Sequence, residues 1–138
     1  MYLLDTDHIS LIDRSEGRII RARLASVSPD EVFASIISYE EQMRGWLAHL
    51  NSLRRTDQQI DGYIRLERML QFYCATPLLP FDPKAMEHFQ RLWIARVRIG
   101  TMDLKIASIA LANDAVLLTR NLSDFSKVPD LQIEDWSA

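Results

Sequence analysis

Short apolar runs alternate along the chain with stretches in which apolar residues recur at helical spacing. The runs are Tyr2 to Asp5, Val32 to Ser38, Leu78 to Phe81, Ala115 to Thr119 and Leu131 to Ile133. Runs of this length suit strands of a sheet, and the most apolar of them suit strands covered on both faces. Alternation of strands with helices predicts an α/β fold, with a mainly parallel central sheet in a three-layer α/β/α arrangement.

Helical spacing is strongest between residues about 38 and 75, where apolar side chains lie three and four positions apart. This stretch predicts a hairpin of two long helices. Asp82 and Pro83 form a cap followed by proline at the first helical position, so another helix is expected from there to about Val97. Thr101 is the expected cap of the next helix.

Composition fits one globular unit. The chain has 138 residues, of which 48% are apolar, and only four glycines and five prolines, so we expect a single domain over residues 1–138. No apolar run approaches the roughly 20 residues that span a bilayer, and no secretory leader is visible, which indicates a cytoplasmic protein without a membrane segment. The only cysteine, Cys74, is expected to be a buried, inert thiol.

Net charge is −3, so nothing in the overall composition indicates a nucleic-acid binder. The distribution of acids is more informative, because several fall where a strand ends or a helix begins. These acids are Asp5, Glu40, Glu41, Asp103 and Asp124, the last in a loop expected over residues 120–124. Brought together, such carboxylates would repel one another unless a cation neutralised them. Carboxylate oxygens suit Mg²⁺ or Mn²⁺, which can lower the pKa of a bound water for attack on a phosphodiester.

Each acid also has a purely structural explanation. Glu41 and Asp103 could complement a helix macrodipole, which is worth about 0.3 to 1 kcal/mol each, and Asp124 could stabilise a turn. Asp5 fits this explanation least, because a carboxylate at the end of an apolar parallel strand loses solvation and is expected to gain no dipole benefit.

Four segments, LLDTDHIS, SIISYEEQMRG, IGTMDLKIASIALANDAVLLTRNLSDF and VPDLQIEDW, together resemble a PIN domain of the VapC toxin type. They occur in the family's order over nearly the whole chain. The resemblance implies an endoribonuclease that depends on Mg²⁺, with Mn²⁺ as a substitute. It also implies a cognate antitoxin of the VapB type in a type II toxin–antitoxin pair, an RNA substrate and a homodimer.

Carried over residue by residue, the resemblance assigns catalysis and metal binding to Asp5, Glu41, Asp103 and Asp124. Thr6 and Asn121 occupy the family's supporting polar positions. Glu41 is chosen over Glu40 because it lies four residues before Gly45. Asp7 stands where the family commonly has Asn, so it is either an additional outer acid or the cap of the first helix, and we favour the cap.

The mechanism that the resemblance implies is attack of a metal-activated water on a phosphodiester, which leaves a 5′-phosphate and a 3′-hydroxyl. Basic side chains near the acids are candidates for binding the flanking phosphates: Arg96, Arg98, Lys105 and Arg120. The helical hairpin, about 38–75, is the expected surface for antitoxin or for a second copy of the chain.

Three other functions remain open from the residues. The opening DTD resembles the D-x-D of haloacid-dehalogenase-like phosphatases, but the chain lacks that family's late pair of acids. A receiver-like phosphoacceptor would need an aspartate at the end of the second strand, and none is there. A protein-binding module would use the acids only to complement helices. The three histidines are too dispersed for a zinc triad, and His8 is expected to be a polar residue at the start of a helix near the site.

Overall fold

The computed structural model describes residues 1–138, in which five strands and seven α-helices follow one another. The strands are β1 (Tyr2–Leu4), β2 (Val32–Ser35), β3 (Leu78–Leu79), β4 (Val116–Leu118) and β5 (Ile133–Glu134). The helices are α1 (Thr6–Ile12), α2 (Arg18–Ala25), α3 (Ile36–Ser52), α4 (Ile60–Ala75), α5 (Pro83–Ile94), α6 (Thr101–Ala112) and α7 (Leu122–Phe125). Every strand pairing is parallel. The expected α/β fold with helices on both faces of the sheet is confirmed, and the sheet is wholly parallel.

Successive residues of the central strands point to opposite faces of the sheet, so each strand feeds two cores. Leu3 and Leu117 pack on one face against buried residues of α5 and α6. Leu4 and Leu118 pack on the other face with buried residues of α1 and α4. Because both faces are covered by helices, the strands have no polar face and read as continuous apolar runs.

The strand order β3-β2-β1-β4-β5 reverses direction at β1. The chain builds outward from β1 through β2 to β3, then returns to add β4 on the other side of β1. Ligands of open parallel sheets bind at such a reversal, beyond the carboxyl ends of the strands. The tips of β1 and β4 therefore form the edge of interest, with Asp5 after one and Thr119 after the other.

The predicted strand over Val32 to Ser38 is too long. β2 ends at Ser35 because the Ser35 hydroxyl accepts a hydrogen bond of 3.1 Å from the Ser38 amide and caps α3. The two long helices expected between about 38 and 75 are α3 and α4, which pack against each other. A 3₁₀ turn at Thr56–Gln59 precedes α4.

Helix ends account for three further differences. Asp82 caps α5 as expected, accepting 2.9 Å from the Ala85 amide, but the helix ends at Ile94 rather than about Val97. Arg96 adopts a left-handed φ of 58°, and the Val97 amide donates to the Leu92 carbonyl, which closes the helix end. Thr101 is not a cap, because it lies inside α6 after Gly100. Residues 120–124 are not a loop throughout, since α7 begins at Leu122.

The prediction for Cys74 is wrong. Its side chain is exposed, because α4 turns the neighbouring Tyr73 inward and Cys74 outward. None of the helices combines the length and the apolar character needed to cross a membrane.

Candidate active site

Asp5 lies at the carboxyl end of β1, and both of its carboxylate oxygens accept hydrogen bonds. The Thr6 amide donates to Oδ1 at 2.8 Å, so Asp5 is the cap of α1. The Thr119 hydroxyl donates to Oδ2 at 2.7 Å from the tip of β4. Asp5 is only 5% exposed. Asp5 therefore gains a capping interaction with a helix, contrary to expectation, although its burial is as expected.

Glu41 lies in the second turn of α3 and is joined to the start of α1 through a hydroxyl. Thr6 Oγ1 donates to Glu41 Oε1 at 2.9 Å and lies 2.9 Å from Ser38 Oγ. Glu40 faces elsewhere, because its Oε2 accepts a hydrogen bond of 2.6 Å from Arg44. Of the two adjacent glutamates, Glu41 is the one brought to the tip of β1.

Asp103 enters the same site from the first turn of α6 and is half-buried. Its pKa is raised, chiefly by burial and then by the nearby charges of Glu41, Asp124 and Asp7, and no hydrogen bond offsets these effects. The repulsion shows that the acids face one another although they come from distant parts of the sequence.

Asp124 stands at the rim of this group, in α7. Asn121 Nδ2 donates to its Oδ2 at 3.0 Å, and Lys127 Nζ donates to its Oδ1 at 3.3 Å. These two hydrogen bonds hold the pKa of Asp124 below its ordinary value, in the opposite direction to Asp103. Asn121 also caps α7, since its Oδ1 accepts from the Asp124 amide at 3.4 Å.

Asp7 does not cap α1, because Asp5 holds that position. Its Oδ2 accepts from the Arg120 amide at 3.0 Å and lies 3.3 Å from the Thr119 hydroxyl, whose proton goes to Asp5. Its Oδ1 lies 2.8 Å from His8 Nδ1. Asp7 therefore binds the turn that follows β4, and the favoured cap role is wrong.

The electrostatic character of the site is clearest at Asp5, whose pKa is raised from 3.8 to about 7. Burial is the main cause and the charge of Asp7 the next, while the hydrogen bonds from Thr119 and Thr6 lower the pKa and Asp103 raises it slightly. Half of the Asp5 carboxyls would carry a proton near neutral pH without a compensating positive charge. A cation at this position would relieve the repulsion.

The donor set consists of carboxylate and hydroxyl oxygens, which fits a hard divalent cation. However, no group of three or more His, Cys, Asp or Glu side chains is arranged closely enough to hold one ion in common. The carboxylates of Asp5 and Glu41 are instead bound by Thr6 and Thr119. The oxygen ligands of the site suit a metal ion. To bind one ion together, Asp5 and Glu41 would have to give up their hydrogen bonds to Thr6 and Thr119.

The predicted phosphate-binding residues surround the acids unevenly. Arg120 is exposed and lies two residues beyond the end of β4, with its amide bound to Asp7. Lys105 lies in α6 two residues after Asp103 and is half-buried, whereas Arg96 and Arg98 are exposed between α5 and α6. The base that contacts a site acid is one that the sequence did not single out, Lys127, whose Nζ also lies 3.4 Å from the Arg98 carbonyl.

Sequence reasoning also missed the hydroxyl groups. Thr119, Ser35 and Ser38 are fully buried polar residues next to the acids. A signal was present for Thr119, because it ends an apolar strand as Asp5 does. Ser38 carried no comparable signal, since it sits inside a run that reads as a strand.

Comparison with known proteins shows the family of the chain. The model of the PIN domain family matches residues 2–131. The chain is 30% identical to ribonuclease VapC1 of Haemophilus influenzae strain R2866, over 99% of this chain and 98% of that protein. It is 27% identical to the tRNA(fMet)-specific endonuclease VapC of Salmonella typhimurium, over 98% of this chain and 97% of that protein.

A solved structure extends the similarity to three dimensions. The structure of VapBC-1 from nontypeable Haemophilus influenzae contains a chain that superposes with a TM-score of 0.79 and 26% identity. The superposition covers 99% of this chain and 98% of that chain. The similarity therefore includes the whole sheet and every element that carries a candidate acid.

Proposed function

This chain belongs to the PIN domain family, among the VapC ribonucleases, and we propose that it is a metal-dependent endoribonuclease toxin of a type II toxin–antitoxin pair. The observation that carries this proposal is the buried carboxylate of Asp5, 5% exposed, at the reversal point of the sheet and near the charges of Asp7 and Asp103. An acid buried among other acids is costly for stability, and such sites are typical of catalysis.

Mg²⁺ is the proposed cofactor, with Mn²⁺ as its substitute. Asp5, Glu41 and Asp103 would hold it, and Asp124 would join them on giving up its contact with Lys127. When bound, the cation would neutralise charge on the phosphodiester and lower the pKa of a water molecule. A single lysine or arginine side chain at this position would neutralise only one carboxylate and would not activate a water molecule.

The chain's own residues orient this chemistry. Thr6 fixes Glu41 through its hydroxyl and Asp5 through its amide, and Thr119 fixes the other Asp5 oxygen. Arg120 and Lys127, together with Arg96, Arg98 and Lys105, would bind phosphates on either side of the cut.

The reaction proposed is hydrolysis by water. Oxygen of the water bonds to phosphorus, the bond from phosphorus to the 3′-oxygen breaks, and the 3′-oxygen takes up a proton. The products are a 3′-hydroxyl and a 5′-phosphate. No side chain forms a covalent intermediate, and the ribose 2′-hydroxyl takes no part.

We further propose that antitoxin binds the helical hairpin of α3 and α4. A groove between this hairpin and α1 is lined by Ser10, Trp46 and Arg65, with Arg65 lying 5.8 Å over the Trp46 ring. Gly45 opens the same groove, and a Cβ added there would meet nothing within 4 Å. A helical glycine costs about 1 kcal/mol relative to alanine, so close approach of a partner is a physical reason to have one here.

A homodimer is proposed on the α5 face. Trp93 is 61% exposed and Ile94 80% exposed, and Phe89 stacks on Trp93 with ring centroids 5.9 Å apart. An apolar cluster of this kind on a surface helix is typical of an interface. Sedimentation of the wild-type chain and of Trp93→Ser tests it, with dimer expected only in the wild type.

The proposed place of action is the cytoplasm.

The function is tested by incubating antitoxin-free, full-length protein with end-labelled total RNA. We expect discrete fragments with Mg²⁺ or Mn²⁺, none with EDTA, and recovery when metal is added back. Fragments should carry 5′-phosphate ends, and a 2′,3′-cyclic phosphate would contradict attack by water. If no RNA is cut but p-nitrophenyl phosphate is hydrolysed, the phosphatase hypothesis replaces this one.

A further inference from the structure

His8 is a fully buried polar residue that the proposed reaction does not use. It lies in α1, 0% exposed, between the acidic edge of the sheet and the C-terminal segment, residues 134–138. Its Nδ1 lies 2.8 Å from Asp7 Oδ1, and its Nε2 lies 3.1 Å from the amide nitrogen of Trp136. Both ring nitrogens are thus engaged, one toward each side.

These contacts fix the tautomer of the ring. The Trp136 amide can only donate, so Nε2 must accept and carries no hydrogen. Nδ1 then carries the hydrogen and donates it to Asp7 Oδ1. The Asp135 carboxylate lies 3.7 Å from Nε2, which is beyond hydrogen-bonding distance and does not alter this assignment.

The C-terminal segment is itself held firmly. Arg23 of α2 donates from Nη1 to the Asp135 carbonyl at 3.2 Å and from Nη2 to the Ala138 carbonyl at 3.0 Å. The Trp136 ring is buried and lies 4.8 Å from the Tyr2 ring. The Trp136 amide that donates to His8 is therefore held in place by the Arg23 hydrogen bonds and by the packing of the Trp136 ring.

On the other side of His8, the contacts continue into the site. Asp7 Oδ2 accepts from the Arg120 amide and lies 3.3 Å from the Thr119 hydroxyl, which donates its proton to Asp5 Oδ2. Moving the Asp7 carboxylate would disturb the turn after β4 and a donor to Asp5. A side chain whose only role was to fill the core would not need hydrogen bonds to both Asp7 and the Trp136 amide.

We propose that His8 is a positioning residue whose Nδ1–H fixes Asp7, and with it the turn after β4, relative to Asp5, while the C-terminal segment holds the imidazole ring in place. The inference rests on the proposed function for its kinetic consequence. Residues that orient the groups around a metal site typically contribute about 10- to 100-fold to activity.

The test compares two substitutions in the full-length chain. His8→Asn keeps an amide that can donate to Asp7 Oδ1 from the place of Nδ1, whereas His8→Leu fills the space without a donor. We expect His8→Leu to lower kcat for RNA cleavage at least about tenfold with KM within about twofold. His8→Asn should retain kcat within about threefold of the wild type.

Leu92→Val serves as the stability control, because it shortens a buried side chain of α5 in an apolar cluster that includes none of these residues. It should lower Tm without changing kcat. Equal kcat for His8→Leu and wild type, measured well below their Tm values, would overturn the proposal. So would a loss in His8→Asn as large as that in His8→Leu, since restoring the donor would then restore nothing.

A second measurement does not depend on nuclease activity. Imidazole ¹⁵N–¹H NMR of the wild-type chain should show His8 protonated at Nδ1 and not at Nε2. Protonation at Nε2 would overturn the proposal even if RNA is cleaved. If the wild type cuts no RNA but the Nδ1 tautomer is found and His8→Leu releases the Trp136 amide to hydrogen exchange, the proposed function fails and the contacts of His8 stand.

Discussion

Thr119 Oγ1 donates a hydrogen bond of 2.7 Å to Asp5 Oδ2 and so joins the tips of two neighbouring strands whose residues are 114 positions apart in sequence. Parallel pairing of β1 with β4 makes this contact possible, because it sets Leu4 opposite Leu118 and brings the following residues together. The hydrogen bond stabilises the ionised form of an acid that burial and neighbouring charges drive toward the protonated form.

The raised pKa of Asp5 predicts an unusual dependence of stability on pH in the absence of metal. Its folded-state pKa of about 7 exceeds the ordinary value of 3.8, so between these values the folded state binds more protons than the unfolded state. The free energy of unfolding should therefore fall as pH rises through this window, with a slope from Asp5 of up to about 1.4 kcal/mol per pH unit.

Urea denaturation in EDTA from pH 4 to pH 8 measures this slope. Asp5→Asn should remove the Asp5 part of it, and Asp57→Asn, which changes an exposed acid paired with Arg55, should leave it unchanged. Identical pH profiles for Asp5→Asn and wild type would show that Asp5 ionises normally.

The adjacent glutamates predict a sharp contrast in activity. Glu41 meets Thr6 at the tip of β1, whereas Glu40 pairs with Arg44. Glu41→Gln should lower the rate of RNA cleavage at least about 100-fold, and Glu40→Gln should lower it less than about threefold. Single-turnover cleavage with saturating Mg²⁺ compares them, and equal losses would mean that the site uses both or neither.

Replacing Asp124 should reduce RNA cleavage less than replacing Asp5. The negative charge of Asp124 is stabilised by Asn121 and Lys127, whereas burial and neighbouring charges disfavour that of Asp5. Asp124→Asn is expected to lower cleavage by about 10- to 100-fold and to weaken activation by Mg²⁺ without abolishing it. Activity measured against Mg²⁺ concentration tests this ranking. A complete loss that high Mg²⁺ does not restore would make Asp124 an obligatory ligand.

The groove beside the hairpin predicts that antitoxin binding can be separated from catalysis. Arg65→Glu reverses a charge over Trp46 and breaks the hydrogen bond of 3.0 Å to Asp61. It should weaken the complex with the cognate antitoxin at least about tenfold by calorimetry and leave RNA cleavage unchanged. Arg55→Glu, in an exposed pair outside the groove, is the matched control. Undiminished antitoxin affinity of Arg65→Glu would exclude this groove as the binding surface.

Local signals made much of the fold predictable. The cap at Asp82 followed by Pro83 marked the start of α5, and the apolar runs marked the strands, because both patterns depend on residues close together in sequence. The boundary between β2 and α3 was not predictable in this way. The β-branched residues of VFASIIS favour a strand, and only the capping hydrogen bond at Ser35 ends it.

Within the site too, features with a local sequence signal were predictable and long-range contacts were not. Asp5 was predicted because it ends an apolar strand, whereas Glu41 was chosen over Glu40 only by the spacing to Gly45 that the family resemblance supplied. The contact between His8 and Trp136 joins residues 128 positions apart and depends on a backbone amide, for which no side-chain pattern exists. The cap role of Asp5 was missed for a related reason. Aspartate is a good helix cap at position 5 or at position 7. The hydrogen bond from the Arg120 amide holds Asp7 at the turn after β4, and Asp5 is the residue that caps α1.

The central claim is that a buried carboxylate at the tip of β1 supports metal-dependent cleavage of RNA. Labelled total RNA should be incubated with the wild type, Asp5→Asn and the control Asp57→Asn, each folded and free of antitoxin, with Mg²⁺, Mn²⁺ or excess EDTA. We predict the same discrete fragments from wild type and control with either metal, none with EDTA, and none from Asp5→Asn. Wild-type cleavage that persists in EDTA, or fragments of the same pattern and yield from Asp5→Asn, would contradict the claim.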